Sequence, residues 1–534
     1  MNDAILAGGS AQPLQEAERK ALTLRAWLGF IAMIFGNFMA ILDIQIVASS
    51  LNEIQAGLSA SADEISWVQT GYLIAEVIAI PLSGYLSRLL STRVYFVISA
   101  LGFTLASLGC ALSWNLASMT IFRVIQGFLG GGMIPSTLSA LFIMFPGQRE
   151  RIMPQVLVGM VSTMGPTIGP TIGGYLTAAF SWHWLFLINL VPGLLVSLAA
   201  WNLVRIDKPD WSLVRDIDKT GLLLMALFLG TLEYVLEQGP TNDWLSDPLL
   251  AWLALISLLT GIGFFWRTFT SEHPLLVLRV FHNRNFALSC VVAFMLGAGL
   301  YGMIYLLPLF FGRVRGYDAM QIGQVMMVSG AAMFLAAPFA GKLARLMDLR
   351  LMFGIGLILV GISAWMNTHL TSESGYWELF APQVIRGFGM IFAYLPMTNL
   401  SMGTLEADEM KNASGIYNLM RNLGGALGLA IIGTLMQWRE AFHYSHLSSA
   451  LDISRAIVRE TVNSTGNLLG ATLGPDAGHR AALDLLAMRV NVQALTLTFN
   501  DMFMLMAVMF LIASVAPLFL DKPVAELPAD SGAH

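Results

Sequence analysis

Charge is scarce in this chain. Asp, Glu, Lys and Arg make up 12% of its 534 residues and hydrophobic residues 56%, whereas a soluble domain carries about 25% charge. Such a composition excludes an ordinary water-soluble globule. The net charge of −5 offers no basic face, so nucleic acid is not an expected partner. Only two cysteines occur, Cys110 and Cys290, both in apolar runs. They read as packing residues rather than a disulfide or a metal site. The eight histidines are scattered. His443 and His446 form an HxxH without further ligands nearby, too few donors for a metal. No GxxxxGK[ST] loop occurs, so no ATP site is expected. No catalytic centre and no cofactor are expected either. A cleavable leader is not expected, because the polar start (residues 1–24) runs directly into a full-length apolar span.

Long apolar runs are what the chain does have. Crossing about 30 Å of hydrocarbon takes ~20 residues of helix, and lipid forces such spans to be helical because it cannot satisfy free backbone groups. The pattern predicts an all-α polytopic membrane protein with fourteen spans. These lie near 27–50, 64–86, 94–113, 116–142, 152–179, 184–204, 219–237, 249–267, 286–311, 319–343, 350–368, 376–403, 412–438 and 499–520. Basic residues set the orientation. Short outer loops hold only Arg313 and Arg315, against nineteen Lys and Arg in short inner loops and tails. Both termini are therefore expected in the cytoplasm, with the long segment 439–498 facing outward.

Two passages repeat. GYLSRLLSTRVYF (84–96) matches GKLARLMDLRLMF (341–353) at an offset of 257, and RVIQGF (123–128) matches QVIRGF (383–388) at an offset of 260. Internal repeats in a membrane protein point to two halves that rock about a central site. Six predicted spans precede residue 205 and six follow residue 285, so the arrangement is 6 + 2 + 6. Its expected parts are a tail (1–26), a six-helix bundle (27–205), two additional helices with linkers (206–284), a second six-helix bundle (285–520) including the 439–498 loop, and a tail (521–534).

Three segments carry a family resemblance: LDIQIVASSL (42–51), FRVIQGFLGGGMIP (122–135) and GPTIGPTIGGYL (165–176). The chain resembles the major facilitator superfamily, in its 14-helix drug:proton antiporter family of EmrB/QacA type, over nearly all of 27–520. The third segment resembles the antiporter motif GxxxGPxxGG, which implies export by antiport. The resemblance further implies an inner-membrane protein, driven by the proton gradient, that exports hydrophobic small molecules with a periplasmic adaptor and an outer-membrane channel. There are departures. In the family's inner-loop motif, GxLaDrxGrr, the first Gly is Gly84 and Arg93 follows, but the Asp place is Arg88 and the second Gly place is Ser91. A carboxylate latch at that point is unavailable. In the first helix, Gln45 and Ala48–Ser49 replace Thr and Asn-Val.

Charges inside spans are costly and normally face a cavity or a partner. Asp43 reads either as a carboxylate that exchanges a proton near neutral pH or as a cap near the outer surface. Arg123 stays charged; it reads as holding a carboxylate ionised, as orienting the polar cavity, or as pairing with helix-end carbonyls. Glu76 reads as a proton carrier, a binder of cationic substrates, or a neutral acid bonded to a neighbouring helix. Glu233, in an additional helix, is expected at a solvated interface. Arg386 occupies the place of Gln126 in the repeat, not of Arg123. Arg421 either serves the cavity or snorkels inward. Gly165, Gly169, Gly173 and Gly174, with Pro166 and Pro170, form a small-residue face expected to act as a hinge or seal between halves. Some of the 30 methionines are expected to line an adaptable apolar pocket. The function expected is proton-driven efflux of hydrophobic or amphipathic compounds. The rivals are a dedicated exporter of an organic or fatty acid and a non-transporting receptor or scaffold. In 439–498, the amphipathic stretches 451–462 and 481–490 are expected to pair as helices that dock another protein.

Overall fold

The structure, a computed structural model, describes residues 11–521 apart from 62–63, 146, 216, 407–408 and 452–454. Residues 1–10 of the expected N-terminal tail and 522–534 of the C-terminal tail, including Lys522, lie outside the described residues. The first six spans are α1 (Ala11–Ala48), α2 (Trp67–Leu90), α3 (Thr92–Ala111), α4 (Leu116–Gly131, continued as Met133–Met144), α5 (Gln148–Ala179) and α6 (Leu190–Leu203, preceded by the turn Trp184–Leu187). Two additional helices follow, α7 (Lys219–Gln238) and α8 (Pro248–Thr270). The second half holds α9 (Arg284–Phe310), α10 (Ala319–Leu343), α11 (Leu349–Met366), α12 (Tyr376–Met402), α13 (Met410–Ser449), α14 (Ala456–Leu473) and α15 (Pro475–Ala513). Among the described residues, twelve helices are long and apolar enough to cross a membrane. The other two expected spans are α5, 32 residues long, and α12, 27 residues long. Both have the length but not that apolarity, α5 through its Gly, Pro and Thr and α12 through Glu378, Arg386 and Asn399.

Local chemistry sets several helix starts. The Asn115 side chain accepts from Ser118 N at 2.8 Å while Ser118 Oγ accepts from Asn115 N. Asp318 and Gln321 form the same reciprocal pair. Each satisfies backbone donors that a helix start leaves open. Ser91 begins α3 at φ 75°, a conformation that favours glycine. That explains why the inner-loop motif asks for Gly at this place.

The repeat is visible in the packing. α1 lies on α5, α2 on α4 and α3 on α4; in the second half α9 lies on α13, α10 on α12 and α11 on α12. The halves meet along α5 and α10, where Gly323 is backed by Thr171 and Gly341 by Ile152. On the expected inner side they also meet through α2 and α13: a Cβ on Gly84 would lie 2.7 Å from Lys411 O, and one on Gly415 3.2 Å from Ile80 O. α7 packs against both α2 and α13. Tyr234 stacks on Trp67 with ring centroids 5.2 Å apart. The loop after α7 is tied to α13 by Trp244 Nε1 donating to Thr434 Oγ1 at 2.8 Å and Gln437 Nε2 donating to Pro240 O at 2.7 Å.

Most described residues of segment 439–498 are helical. α13 runs eleven residues past its expected end at 438, about 16 Å, and α15 begins 24 residues before 499, about 36 Å. With α14 they form a helical arm. The expected amphipathic stretches do pair: Val458 and Val462 of α14 pack on Ala482 of α15, flanked by Leu451 and Leu486. Residues 452–454 of the first stretch lie outside the described residues. At the root of the arm, Asp501 accepts from Arg439 Nε at 2.6 Å and lies 2.7 Å from His443 Nε2. His443 of the HxxH is thus engaged with a carboxylate.

Candidate functional site: a central cavity and a buried ion pair

A cavity of about 130 Å³ lies between the halves. Its walls are mostly aliphatic and aromatic, including Ile41, Leu73, Leu296, Met390, Met397 and Leu429. Its charged residues are Glu76 of α2, Glu233 of α7 and Arg421 of α13. Tyr301, Tyr394 and Tyr417 surround Arg421, with Tyr394 in hydrogen-bonding reach of it. Such a site suits an amphipathic ligand: apolar walls take up hydrophobic area, and a few polar groups orient it.

The sequence of α4 explains how Glu76 arrives there. Gly127, Gly130 and Gly131 lie against α2, and a Cβ on Gly131 would meet Glu76 O at 2.8 Å. Only glycine permits that approach. Glu76 and Glu233 lie close enough to repel one another, and the charges of Arg421 and, less strongly, Arg123 act on Glu76. Glu233 is therefore not at a solvated interface as expected; it is 7% exposed and faces the cavity. The hydropathy of an isolated helix carries no sign of this, because α7 finds its place only between α2 and α13. Arg421, 8% exposed, turns into the cavity and does not snorkel.

Asp43 lies apart from the cavity, inside the first half. Arg123 Nη1 donates to Asp43 Oδ2 at 2.6 Å, and neither side chain has any exposed surface. Asp43 Oδ1 accepts from Gln126 Nε2 at 3.0 Å and from Asn189 Nδ2 at 2.8 Å. Gln126 also donates to Ser107 Oγ at 2.6 Å. Arg123 further donates to Val68 O at 3.0 Å and lies over the Tyr72 ring at 4.2 Å. The knot joins α1, α2, α3, α4 and the entry to α6. Asp43 is thus neither an outer cap nor a cavity carboxylate, and Arg123 is at once a carboxylate partner and a carbonyl donor. Asn189, Ser107 and Tyr72 were not singled out from sequence; a lone Asn within an apolar run, as in LINLVPG, is the signal that points to Asn189.

On the expected inner side, Arg88 Nε is buried without a partner, and Arg93 lies over the Trp201 ring at 4.9 Å. A carboxylate latch exists after all, supplied from another place in the chain. Asp207, after α6, accepts from Thr92 N at 3.0 Å and pairs with Lys411 at the start of α13. Lys411 also donates to Ser87 O at 3.1 Å. Asn399 of α12 donates to Gln155 of α5. These contacts join the halves.

The glycine face of α5 packs within its own half. Cβ atoms added to Gly165 or Gly173 would lie 2.6 Å from Ile41 Cγ2 of α1 or from Ser49 Oγ just after it, and one on Gly169 would meet Gln45. The expectation of a seal between halves is corrected: the seal is α5 against α10, while the glycines seat α1. Pro166 lines the cavity, and Pro170 and Gly174 are half-buried. Arg386 of α12 is 4% exposed and lies beside a smaller pocket.

Comparison with known proteins agrees with this arrangement. Residues 33–429 match the sequence model of the Major Facilitator Superfamily. The chain is 46% identical over 507 residues to a protein of Acinetobacter baumannii named colistin resistance protein EmrB, covering 95% of this chain and 98% of the relative. It is 27% identical to the multidrug export protein EmrB of Escherichia coli K12, covering 98% and 99%. Among solved structures, the human organic anion transporter MFSD10 superposes with a TM-score of 0.57 at 12% identity, covering 91% of this chain and 99% of that one. An inward-facing bacterial homologue of the lysosomal transporter Spinster gives 0.51 at 16%, covering 94% and 99%. With its duplicated six-helix halves, its central cavity and a family match across most of its length, the chain belongs to the Major Facilitator Superfamily.

Proposed function

We propose that this protein is a proton-driven exporter of hydrophobic and amphipathic compounds in the inner membrane, with both termini in the cytoplasm. The cavity between the halves carries this reading: its walls are apolar, and two carboxylates and one arginine face into it. The relatives' names, multidrug export and colistin resistance, support the same activity. Glu76 is the proposed proton carrier, because it faces the cavity while Asp43 is sealed in an ion pair. A proton arriving from outside neutralises Glu76 and releases substrate outward. The proton leaves toward the cytoplasm when the cavity opens inward, and the next substrate enters. Glu233 provides a second carboxylate against a cationic or polar group of the substrate.

Proteoliposomes holding a pH dye test this. Ethidium should drive a proton flux through the wild-type protein. Glu76→Gln should lower that flux at least tenfold, and Glu233→Gln should weaken ethidium binding more than it slows proton movement. Ethidium transport that persists with the proton gradient collapsed would sink the reading.

The helical arm is the proposed docking element for a periplasmic adaptor that leads to an outer-membrane channel. Its outer surface carries exposed apolar side chains, among them Ile457, Leu468, Leu473 and Met488, more than a solvated helix pair needs. Deleting about residues 450–485 should leave a transporter that binds substrate but confers no resistance in a double-membraned cell and no longer co-purifies with the adaptor. Retained adaptor binding would reduce the arm to a cover over the outer mouth.

A further inference from the structure

Arg386 is buried within the second half without a counter-ion. Its Nη2 donates to Ser329 Oγ at 2.7 Å, and its Nη1 has no partner. No carboxylate among the described residues pairs with it. An arginine keeps its charge at any working pH, and a charge held in a membrane interior without a partner is strongly disfavoured. The guanidinium borders a small pocket of about 20 Å³ whose walls, Ser329 apart, are apolar, including Leu300, Met303, Ile304 and Met333. Leu300 and Met390 line both this pocket and the central cavity, so the two adjoin.

The duplication says what is missing. Gly387 is the counterpart of Gly127. It brings α12 against Ser329 and Ala332 of α10 as Gly127 brings α4 against Tyr72 of α2. The repeat offset of 257 to 260 carries Asp43 onto positions 300–303 of α9, which are Leu300, Tyr301, Gly302 and Met303; none is a carboxylate, and Leu300 and Met303 line the pocket. The first half thus closes its arginine with a carboxylate from its first helix. The second half has its arginine at the place of Gln126, itself a donor to Asp43, with a serine donor and a small pocket beside it and no carboxylate at the corresponding positions of α9.

We propose that the Arg386 pocket is a monoanion-binding site, filled by a carboxylate or a halide in the place that Asp43 fills in the other half. Ser329 Oγ and Arg386 Nη1 are its donors. The apolar walls suit a single small anionic group with little hydration, and the shared wall with the central cavity lets the carboxylate of an amphipathic acid reach it from there. The carboxylate form of the proposal rests on reading the central cavity as the transport site; the halide form does not.

Thermal melting of the purified full-length protein in nanodiscs, at fixed ionic strength with gluconate as the balancing anion, tests this with chloride and with decanoate as probes. A saturable rise in melting temperature is expected with at least one of them, absent in Arg386→Gln and reached only at least tenfold higher concentration in Ser329→Ala. Arg386→Lys, which keeps the charge, should retain a weaker response and covers the case in which the glutamine variant does not fold. A response to chloride alone assigns an inorganic anion and leaves the export reading untouched. A response to decanoate alone assigns the carboxylate of an amphipathic substrate. No response of the wild-type protein to either probe, or an equal response in Arg386→Gln, would overturn the site.

Discussion

Asp43→Asn should destabilise the first half by about 3–5 kcal/mol and abolish export, because it leaves the Arg123 guanidinium charged and uncompensated in a sealed interior. The partners explain the size of the effect. Both side chains are fully buried, and Asp43 also accepts from Gln126 and Asn189, so one substitution disturbs α1, α3, α4 and the entry to α6 together. The check is a melting curve of the purified variant beside cellular efflux. A double variant, Asp43→Asn with Arg123→Gln, removes charge from both sides. It should recover part of the lost melting temperature, since the two residues couple. Wild-type melting and efflux in Asp43→Asn alone would show that the pair contributes nothing.

Gly173→Leu should stop transport with substrate binding less affected. A Cβ at this position already lies 2.6 Å from Ser49 Oγ and 3.0 Å from the Ile46 carbonyl oxygen of α1, and backbone cannot yield as a side-chain end can. A leucine pushes α1 away from α5 and shifts Pro166 on the cavity wall. Gly169→Leu, opposite Gln45, should act in the same direction. Efflux and ethidium binding measured on the same preparation separate a jammed cycle from an unfolded protein. Normal efflux in both variants would contradict a tight α1–α5 crossing.

The sequence by itself determined the helices, their pairing into two related halves with two more between them, and the identity of the charged residues inside them. Lipid makes these features local: a span must be helical and about twenty residues long, and a duplicated segment keeps its spacing wherever it folds. Motif residues were legible for the same reason; the glycines of α4 and α5 are required by close backbone approach, and that requirement is written in residue type. Even so, α5 and α12 fell short of the apolarity of the other spans, since helices enclosed by neighbours need not be apolar on every side. In 439–498 polarity was legible and helix length was not, because a helix in water beyond the membrane edge shows no apolar run.

Only the tertiary structure decided where each charge points. Successive residues turn about 100° around a helix axis, so a carboxylate in a span faces lipid, a neighbouring helix or a cavity according to how that helix is rotated and what lies beside it. That separated Asp43, locked onto Arg123, from Glu76 in the cavity. It also drew Glu233 into the same cavity from a helix outside both halves. The inner latch shows the same dependence: the carboxylate absent at Arg88 is supplied by Asp207, more than a hundred residues later, and its partner Lys411 comes from the other half. Distance along the chain carries no information about such a meeting. It exists because six helices fold back until the end of α6 lies beside the start of α3, and the second half closes against them.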